Sequence, residues 1–156
     1  MPADRRRKIP TDIALAVGAV GVLATGADHF VEYAAKGFSS VPTIGFLFLL
    51  NFISATLIGI GLLLPWRRLT ERFADPLRAL LAVSGIAIAA MSLIGLWISE
   101  SSSLFGFTDY GFRSEIVLAI IAESVAIAAL MAYLALERPV RLTRGKRASD
   151  QTPVIS

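Results

Sequence analysis

The sequence predicts an all-α fold: a transmembrane bundle of four antiparallel helices with both termini in the cytoplasm. Three observations indicate it. The chain of 156 residues is 55% hydrophobic, it contains four apolar segments in series, and its Lys and Arg residues gather at alternate ends of those segments. Soluble domains are roughly 45–50% apolar, and about 20 apolar residues cross a bilayer as a helix. We therefore expect one membrane domain, 12–136, between a basic N-terminus, 1–11, and a basic tail, 137–156, that is predicted to be disordered.

The first two helices are predicted at 12–34 and 43–64. Residues 13–27 carry no charge, and Thr11 is a suitable N-cap for the first helix. A basic start before an uncharged stretch is also typical of a cleaved secretory signal. The continuation of the apolar stretch and the three further spans argue against that alternative. Pro42 suits the first turn of the second helix, where no amide donor is needed.

The other two helices are predicted at 76–98 and 114–136. Asp75 and Pro76 suit the N-cap and first turn of the third helix. Ser114 can cap the fourth helix, whose apolar run only Glu123 interrupts. The longer outer loop between these helices carries four aromatic residues typical of a belt at the membrane interface: Phe105, Phe107, Tyr110 and Phe112.

Lys and Arg are distributed unequally between the two predicted sides of the membrane. The N-terminus, the 67–78 loop and the tail hold thirteen of them, whereas the other two loops hold only Lys36 and Arg113. Positive charge marks cytoplasmic loops, so we expect a multi-pass protein of the bacterial inner membrane with both termini inside. A nucleic-acid partner is not expected despite the net charge of +3, because the basic residues flank apolar segments instead of covering a soluble face. The expected partner is the lipid bilayer.

A cluster of polar groups ends the first predicted helix. Asp28, His29, Glu32 and Tyr33 are three or four residues apart, so they can share one broad helical face. Because histidine titrates near neutral pH and carboxylates attract cations, this face can hold a proton or a cation. The alternative is a solvated helix end that reaches the lipid headgroups.

Asn51 and Glu123 lie inside the second and fourth predicted helices, each on the order of 12 Å from the outer end. A charged carboxylate at that depth costs roughly 2.5–3.5 kcal/mol on insertion scales. We therefore expect Glu123 either to face a partner, with Asn51 as the candidate, or to be protonated. The alternatives are an interhelical hydrogen bond at Asn51 and a purely structural acid at Glu123. The predicted binding residues are Asp28, His29, Glu32, Asn51 and Glu123, with Thr25, Tyr33 and Ser54 as further candidates and no catalytic residue.

No cofactor is predicted. The chain has no cysteine, which excludes disulfides, thiol redox chemistry and cysteine-ligated metals. Its one histidine could serve a bis-histidine haem only in a symmetric dimer. A metal site would need Asp28, His29, Glu32 and Glu123 to converge, which requires the first and fourth helices to touch.

Small and polar residues recur at intervals of three and four in two of the predicted helices. Such stripes let another helix approach closely, so we expect the small faces to point inward, with packing as their main role. In the first helix the stripe comprises Ala14, Gly18, Gly21, Thr25, Asp28 and Glu32, and in the third it comprises Gly85, Ala89, Ser92 and Gly95.

Three short motifs carry a resemblance to a known group of proteins: Asp28-His29-Phe30, the segment 41–51 (Val-Pro-Thr-Ile-Gly-Phe-Leu-Phe-Leu-Leu-Asn), and the segment 105–109 (Phe-Gly-Phe-Thr-Asp). Over about 25–130 the chain resembles small four-span membrane proteins of actinobacteria, whose topology is loosely like that of the DoxX family. Asp109 stands where that group more often has glutamate. The resemblance implies the topology and no activity.

Two functions fit these features. The first is binding or transport of protons together with a small cationic or polar solute, in an outward-opening cavity. Four helices are few for a transporter, so a homodimer is then expected. The alternative is a non-catalytic accessory subunit that packs against a larger membrane complex through its small-residue stripes. An enzyme acting on lipids or quinones is the least favoured, since the chain shows no nucleophile elbow, phosphate-binding glycine loop or zinc-protease helix.

Overall fold

The protein folds as four long helices in a computed structural model that describes the backbone of residues 3–102 and 114–149 and the side chains of residues 8–102 and 116–137. These helices are α1 (Ala3–Ala35), α2 (Pro42–Leu63), α3 (Ala74–Ser101) and α4 (Ser114–Ser149). A short 3-10 helix, Phe38–Ser40, follows α1, and a single helical turn, Trp66–Leu69, precedes α3. The described residues contain no strand, which confirms the all-α fold class.

The helices begin and end near the predicted positions, with three differences. The first helix starts at Ala3, so Thr11 lies within it and does not cap it. Helix α3 starts at Ala74, which places Asp75 in its first turn. A negative charge at that position interacts favourably with the helix dipole. Helix α4 continues to Ser149, through part of the segment predicted to be disordered. Arg, Lys, Ala and Leu all have favourable helix propensities, so basic composition alone does not end a helix.

A tight connection joins α1 to α2. Gly37 adopts a φ of 84°, in the left-handed region that favours glycine. The Ser40 hydroxyl donates to the Gly37 carbonyl oxygen at 2.7 Å. Pro42 then occupies the first turn of α2, as predicted. A Cβ atom on Gly45 would collide with the Phe38 carbonyl oxygen, so α2 passes directly against the connection.

Polar contacts also fix the connection between α2 and α3. The Trp66 indole donates to the Gly61 carbonyl oxygen at 2.6 Å. Arg78 donates to the Leu64 carbonyl oxygen at 3.4 Å, and Arg67 forms an exposed ion pair with Asp75 at 3.5 Å. An exposed pair of this kind contributes little stability.

Each long helix packs against two others. Helix α1 contacts α2 and α4, and α3 contacts the same two helices. Helices α1 and α3 meet at only a few positions, and no backbone contact joins α2 to α4 within the described residues. The shared core is built mainly of small and branched apolar side chains: Leu15, Ala19, Val22, Ala55, Leu62, Ala82, Ala89, Ala126, Leu130 and Tyr133.

Some glycines of the predicted small-residue stripes lie at close contacts between helices, and others do not. A Cβ atom on Gly21 would lie 2.9 Å from the Ala126 Cβ atom, and one on Gly85 would lie 2.9 Å from the Leu130 Cδ1 atom. These glycines allow close helix approach, as predicted. The packing role predicted for Gly95 is wrong, because a Cβ atom there would have no heavy atom within 4 Å.

Four helical segments are long and apolar enough to cross a membrane: Lys8–Ala35, Pro42–Leu63, Ala74–Ser101 and Ile116–Glu137. Many of their large apolar side chains are exposed, among them Leu57, Met91 and Trp97. Apolar surface of this extent is unusual on a soluble monomer and is covered by lipid tails in a membrane protein. The chain thus has the features of a multi-pass membrane protein. The predicted aromatic belt, the segment 105–109 and residues 150–156 lie outside the described residues.

Candidate ligand-binding cavity

A cavity of about 590 Å³ lies among the four helices. Its volume falls in the range of roughly 300–1,000 Å³ that is typical of small-molecule sites. The later parts of α1 and α3 and the earlier parts of α2 and α4 form its walls. Most lining side chains are apolar, and eight are polar: Asp28, His29, Glu32, Asn51, Ser54, Ser92, Ser99 and Glu123.

The cavity contains all five residues predicted to bind a ligand, together with Ser54. The other two candidates do not line it. Thr25 is buried, and its hydroxyl donates to the Gly21 carbonyl oxygen at 3.1 Å within α1. Tyr33 is half-buried outside the cavity wall. The structure therefore brings the predicted site together, with these two exceptions.

Hydrogen bonds and a ring contact orient His29 from both sides. Its Nδ1 atom lies 2.9 Å from the Thr25 carbonyl oxygen, which can only accept, so Nδ1 carries a proton. In the neutral ring Nε2 then accepts from the Ser92 hydroxyl at 3.0 Å. The Phe48 ring meets the imidazole edge-on at a centroid distance of 5.3 Å. These contacts place the histidine at the junction of α1, α2 and α3.

The packing role predicted for Ser92 is incomplete. Ser92 bonds His29 across 63 residues of sequence. Its hydroxyl also lies near the Glu123 carboxyl group as a potential hydrogen-bond donor, whereas Asp28 acts on that group through its charge. The predicted end of the third helix, at 98, hid the depth of Ser92, which the helix ends in the structure show. Asn51 comes nine residues after Pro42, Ser92 nine before Ser101, and Glu123 nine after Ser114. Equal distances from the helix ends, roughly 14 Å at 1.5 Å per residue, predict one polar layer.

Glu123 is the most deeply buried ionisable residue lining the cavity, with 1% of its surface exposed. Neither carboxyl oxygen forms a hydrogen bond of normal geometry with a described residue, since the nearby Ser92 hydroxyl donates its one proton to His29. The Asn51 Oδ1 atom is also buried without a partner. The predicted hydrogen bond between Asn51 and Glu123 is therefore wrong. Its physical reason is the packing order, because α2 and α4 lie on opposite sides of the bundle.

The predicted metal alternative required helices α1 and α4 to touch, and they do. Even so, the described part of the chain contains no group of three or more His, Asp or Glu residues placed to hold a metal ion. Asp28, His29, Glu32 and Glu123 share the cavity without forming a compact ligand set. The arrangement is suited to a ligand large enough to span several walls.

Comparison with known proteins returns no matching family model, no matching curated protein and no matching solved structure. The resemblance to small four-span proteins of actinobacteria stays a prediction.

Proposed function

We propose that this is an inner-membrane protein that binds a small cationic or polar solute in the cavity in exchange for protons. Its helices run antiparallel with both termini in the cytoplasm. Two observations support this orientation: the positive-inside distribution of Lys and Arg, and a cavity wall that combines the later parts of α1 and α3 with the earlier parts of α2 and α4.

One observation carries the proposal: Glu123 is buried at the cavity, and neither of its carboxyl oxygens forms a hydrogen bond of normal geometry with a described residue. A buried acceptor without a hydrogen bond costs about 1–3 kcal/mol, and more if it is charged. Native proteins contain few such groups, and an ion or a ligand commonly explains them. A donor or a cation bound beside Glu123 would remove this cost.

The other polar groups of the cavity favour a cation over an anion. Asp28, Glu32 and Glu123 provide three carboxyl groups, and no Lys or Arg lies among the described lining residues. An anion would find no opposite charge there, and its burial would be costly. The apolar majority of the wall favours an organic cation over a small hydrated ion.

Proton exchange follows from the same groups. A carboxyl group must lose its proton before it can pair with a cation, so cation binding and proton binding compete. A rise in pH over about 5 to 8 lowers the concentration of the competing proton, so cation binding is expected to strengthen with pH.

The test is thermal unfolding of the full chain in lipid nanodiscs, with tetramethylammonium chloride as the probe and sodium chloride at equal ionic strength as the reference. A ligand that binds only the folded state raises the unfolding midpoint by mass action. We expect tetramethylammonium to raise it, and to do so more at pH 8 than at pH 5. An unfolding midpoint that tetramethylammonium leaves unchanged at every pH would contradict the proposal and favour the accessory-subunit alternative.

Filling the cavity provides a second measurement on the same protein. Gly95 lines the cavity and has open space at its Cβ position, so we expect Gly95→Phe to keep the fold and to lose at least tenfold in tetramethylammonium affinity. Ala128→Phe is the matched control, since it adds the same ring on the exposed face of α4. Equal affinity in the two variants would mean that the cation binds elsewhere.

The proposed orientation has its own test. The chain has no cysteine, so single cysteines at Ser102 and Ser149 can be labelled without background. An impermeant maleimide applied to intact cells should label position 102, which precedes the outer loop. Position 149 should be labelled only after the cells are opened. Labelling of position 149 alone would reverse the topology.

A further inference from the structure

The exposure of its lining residues indicates that the cavity opens between α2 and α3. Four of its lining side chains are large, apolar and well exposed: Leu47 and Leu50 of α2, at 39% and 47%, and Met91 and Ile94 of α3, at 67% and 50%. We call this opening, defined by these four residues, the portal. Both of its helices are long and apolar enough to cross a membrane. The portal therefore faces the region that lipid tails occupy if the protein spans the bilayer.

The carboxyl groups lie on the other side of the cavity from the portal. Asp28 and Glu32 belong to α1 and Glu123 belongs to α4, and these two helices pack against each other opposite the α2–α3 side. A ligand whose charged group lies beside the carboxyl groups would extend its remaining atoms toward the portal. The site thus presents an anionic end and an apolar end to one molecule.

We propose that the ligand is an amphiphilic ammonium, a molecule with one cationic nitrogen and one apolar chain, which enters the cavity from the lipid phase through the portal. This inference rests on the proposed function and specifies the ligand class of the same site. The inference rests on two features that face each other across the cavity. One is the buried Glu123 carboxyl group without a hydrogen bond of normal geometry, and the other is the apolar, lipid-facing portal.

Phospholipids with an ammonium headgroup share part of this chemistry, but they fit the site less well. Their phosphate lies next to the nitrogen, and the described lining residues include no Lys or Arg to receive it. A buried phosphate beside three carboxyl groups would be strongly disfavoured. A single-chain amine or quaternary ammonium without an anionic group matches the site.

Entry from the lipid phase predicts a dependence on chain length. Each buried CH₂ group contributes about 0.8 kcal/mol, which corresponds to about a fourfold change in affinity measured against the aqueous ligand. We expect affinity to rise by about this factor per methylene from tetramethylammonium to hexyl- and octyltrimethylammonium. The measurement is thermal unfolding of the full chain in nanodiscs made of phosphatidylglycerol.

A photoreactive ligand tests whether the alkyl chain lies in the portal. The ligand is an octyltrimethylammonium with a diazirine at the end of its chain, and the labelled residues are identified by mass spectrometry. Saturable labelling is expected at Leu50 and Ile94. Ile53 of α2 and Val83 of α3 are matched controls, because they are exposed to similar extents, 46% and 54%, and do not line the cavity. Any labelling at these control positions should be unaffected by excess unlabelled ligand. Glu123→Gln, which removes the charge, and Gly95→Phe, which removes the space, should both abolish the saturable part.

The outcomes separate the inference from the proposed function. Glu123-dependent binding of tetramethylammonium without any gain from the alkyl chain, or equal saturable labelling at the control positions, overturns the portal and leaves the proposed function standing. Loss of octyltrimethylammonium binding in nanodiscs that contain phosphatidylethanolamine would assign the site to a phospholipid headgroup and overturn the single-chain ligand. Failure of every ammonium, short or long, to bind in a Glu123-dependent way overturns both.

Discussion

Replacing Glu123 with glutamine is expected to abolish the stabilisation of the protein by cations while leaving it folded. Glutamine keeps the shape of the side chain and a carbonyl oxygen but cannot carry a negative charge. Since neither carboxyl oxygen of Glu123 forms a hydrogen bond of normal geometry with a described residue, the substitution breaks no such bond, and the midpoint without ligand should stay near that of the wild type. At a cation concentration of 100 times Kd, the wild type should gain about 2.7 kcal/mol, which the variant loses.

The matched control for this prediction is Glu137→Gln, which makes the same chemical change on the same helix at a residue that does not line the cavity. Glu137 lies near Tyr133, so the control can change basal stability, but its response to cations should remain that of the wild type. The measurement is the shift in unfolding midpoint with tetramethylammonium for the three proteins side by side. A full shift in Glu123→Gln would show that the carboxyl group is a structural acid.

The spans and most of the cavity residues could be predicted from the sequence because each depends on local information. Uninterrupted apolar length defines a span, and a polar residue such as Asn51 or Glu123 stands out inside one. Spacing of three and four residues predicted one shared face for Asp28, His29, Glu32 and Tyr33, and all but Tyr33 line the cavity. These inferences need no knowledge of which helix neighbours which.

The pairing of residues between helices could not be predicted, because it depends on the order of the helices around the bundle. Asn51 and Glu123 lie at similar depth, which suggested a hydrogen bond, but their helices are not neighbours. The same packing order explains why Glu123 and the Asn51 Oδ1 atom form no hydrogen bond with each other: they lie on opposite walls with the cavity between them. Likewise, Ser92 and Gly95 belong to one small-residue stripe, yet one bonds His29 and the other borders empty space. Spacing along a helix does not distinguish a packed small residue from one that leaves room.

The two glycines Gly21 and Gly95 provide the sharpest test of that distinction. At Gly21 an added Cβ atom would lie 3.0 Å from the Cα atom and 3.1 Å from the backbone nitrogen of Ala126, so α1 and α4 would have to separate. Backbone atoms cannot move aside as a flexible side chain can. Overpacking of this kind typically costs about 1–3 kcal/mol, and we expect Gly21→Ala to lower the free energy of unfolding by that amount.

Gly95→Ala makes the same change where no atom lies within 4 Å of the new methyl group. Alanine has the higher helix propensity, by about 1 kcal/mol in solution, so this variant should be as stable as the wild type or slightly more stable. The measurement is equilibrium unfolding in mixed micelles of a mild detergent and increasing dodecyl sulfate, for both variants in parallel. Equal losses would mean that helix packing surrounds both glycines and that α3 has no open face toward the cavity. A loss confined to Gly21→Ala would show that Gly21 joins α1 to α4, whereas Gly95 leaves space for a ligand.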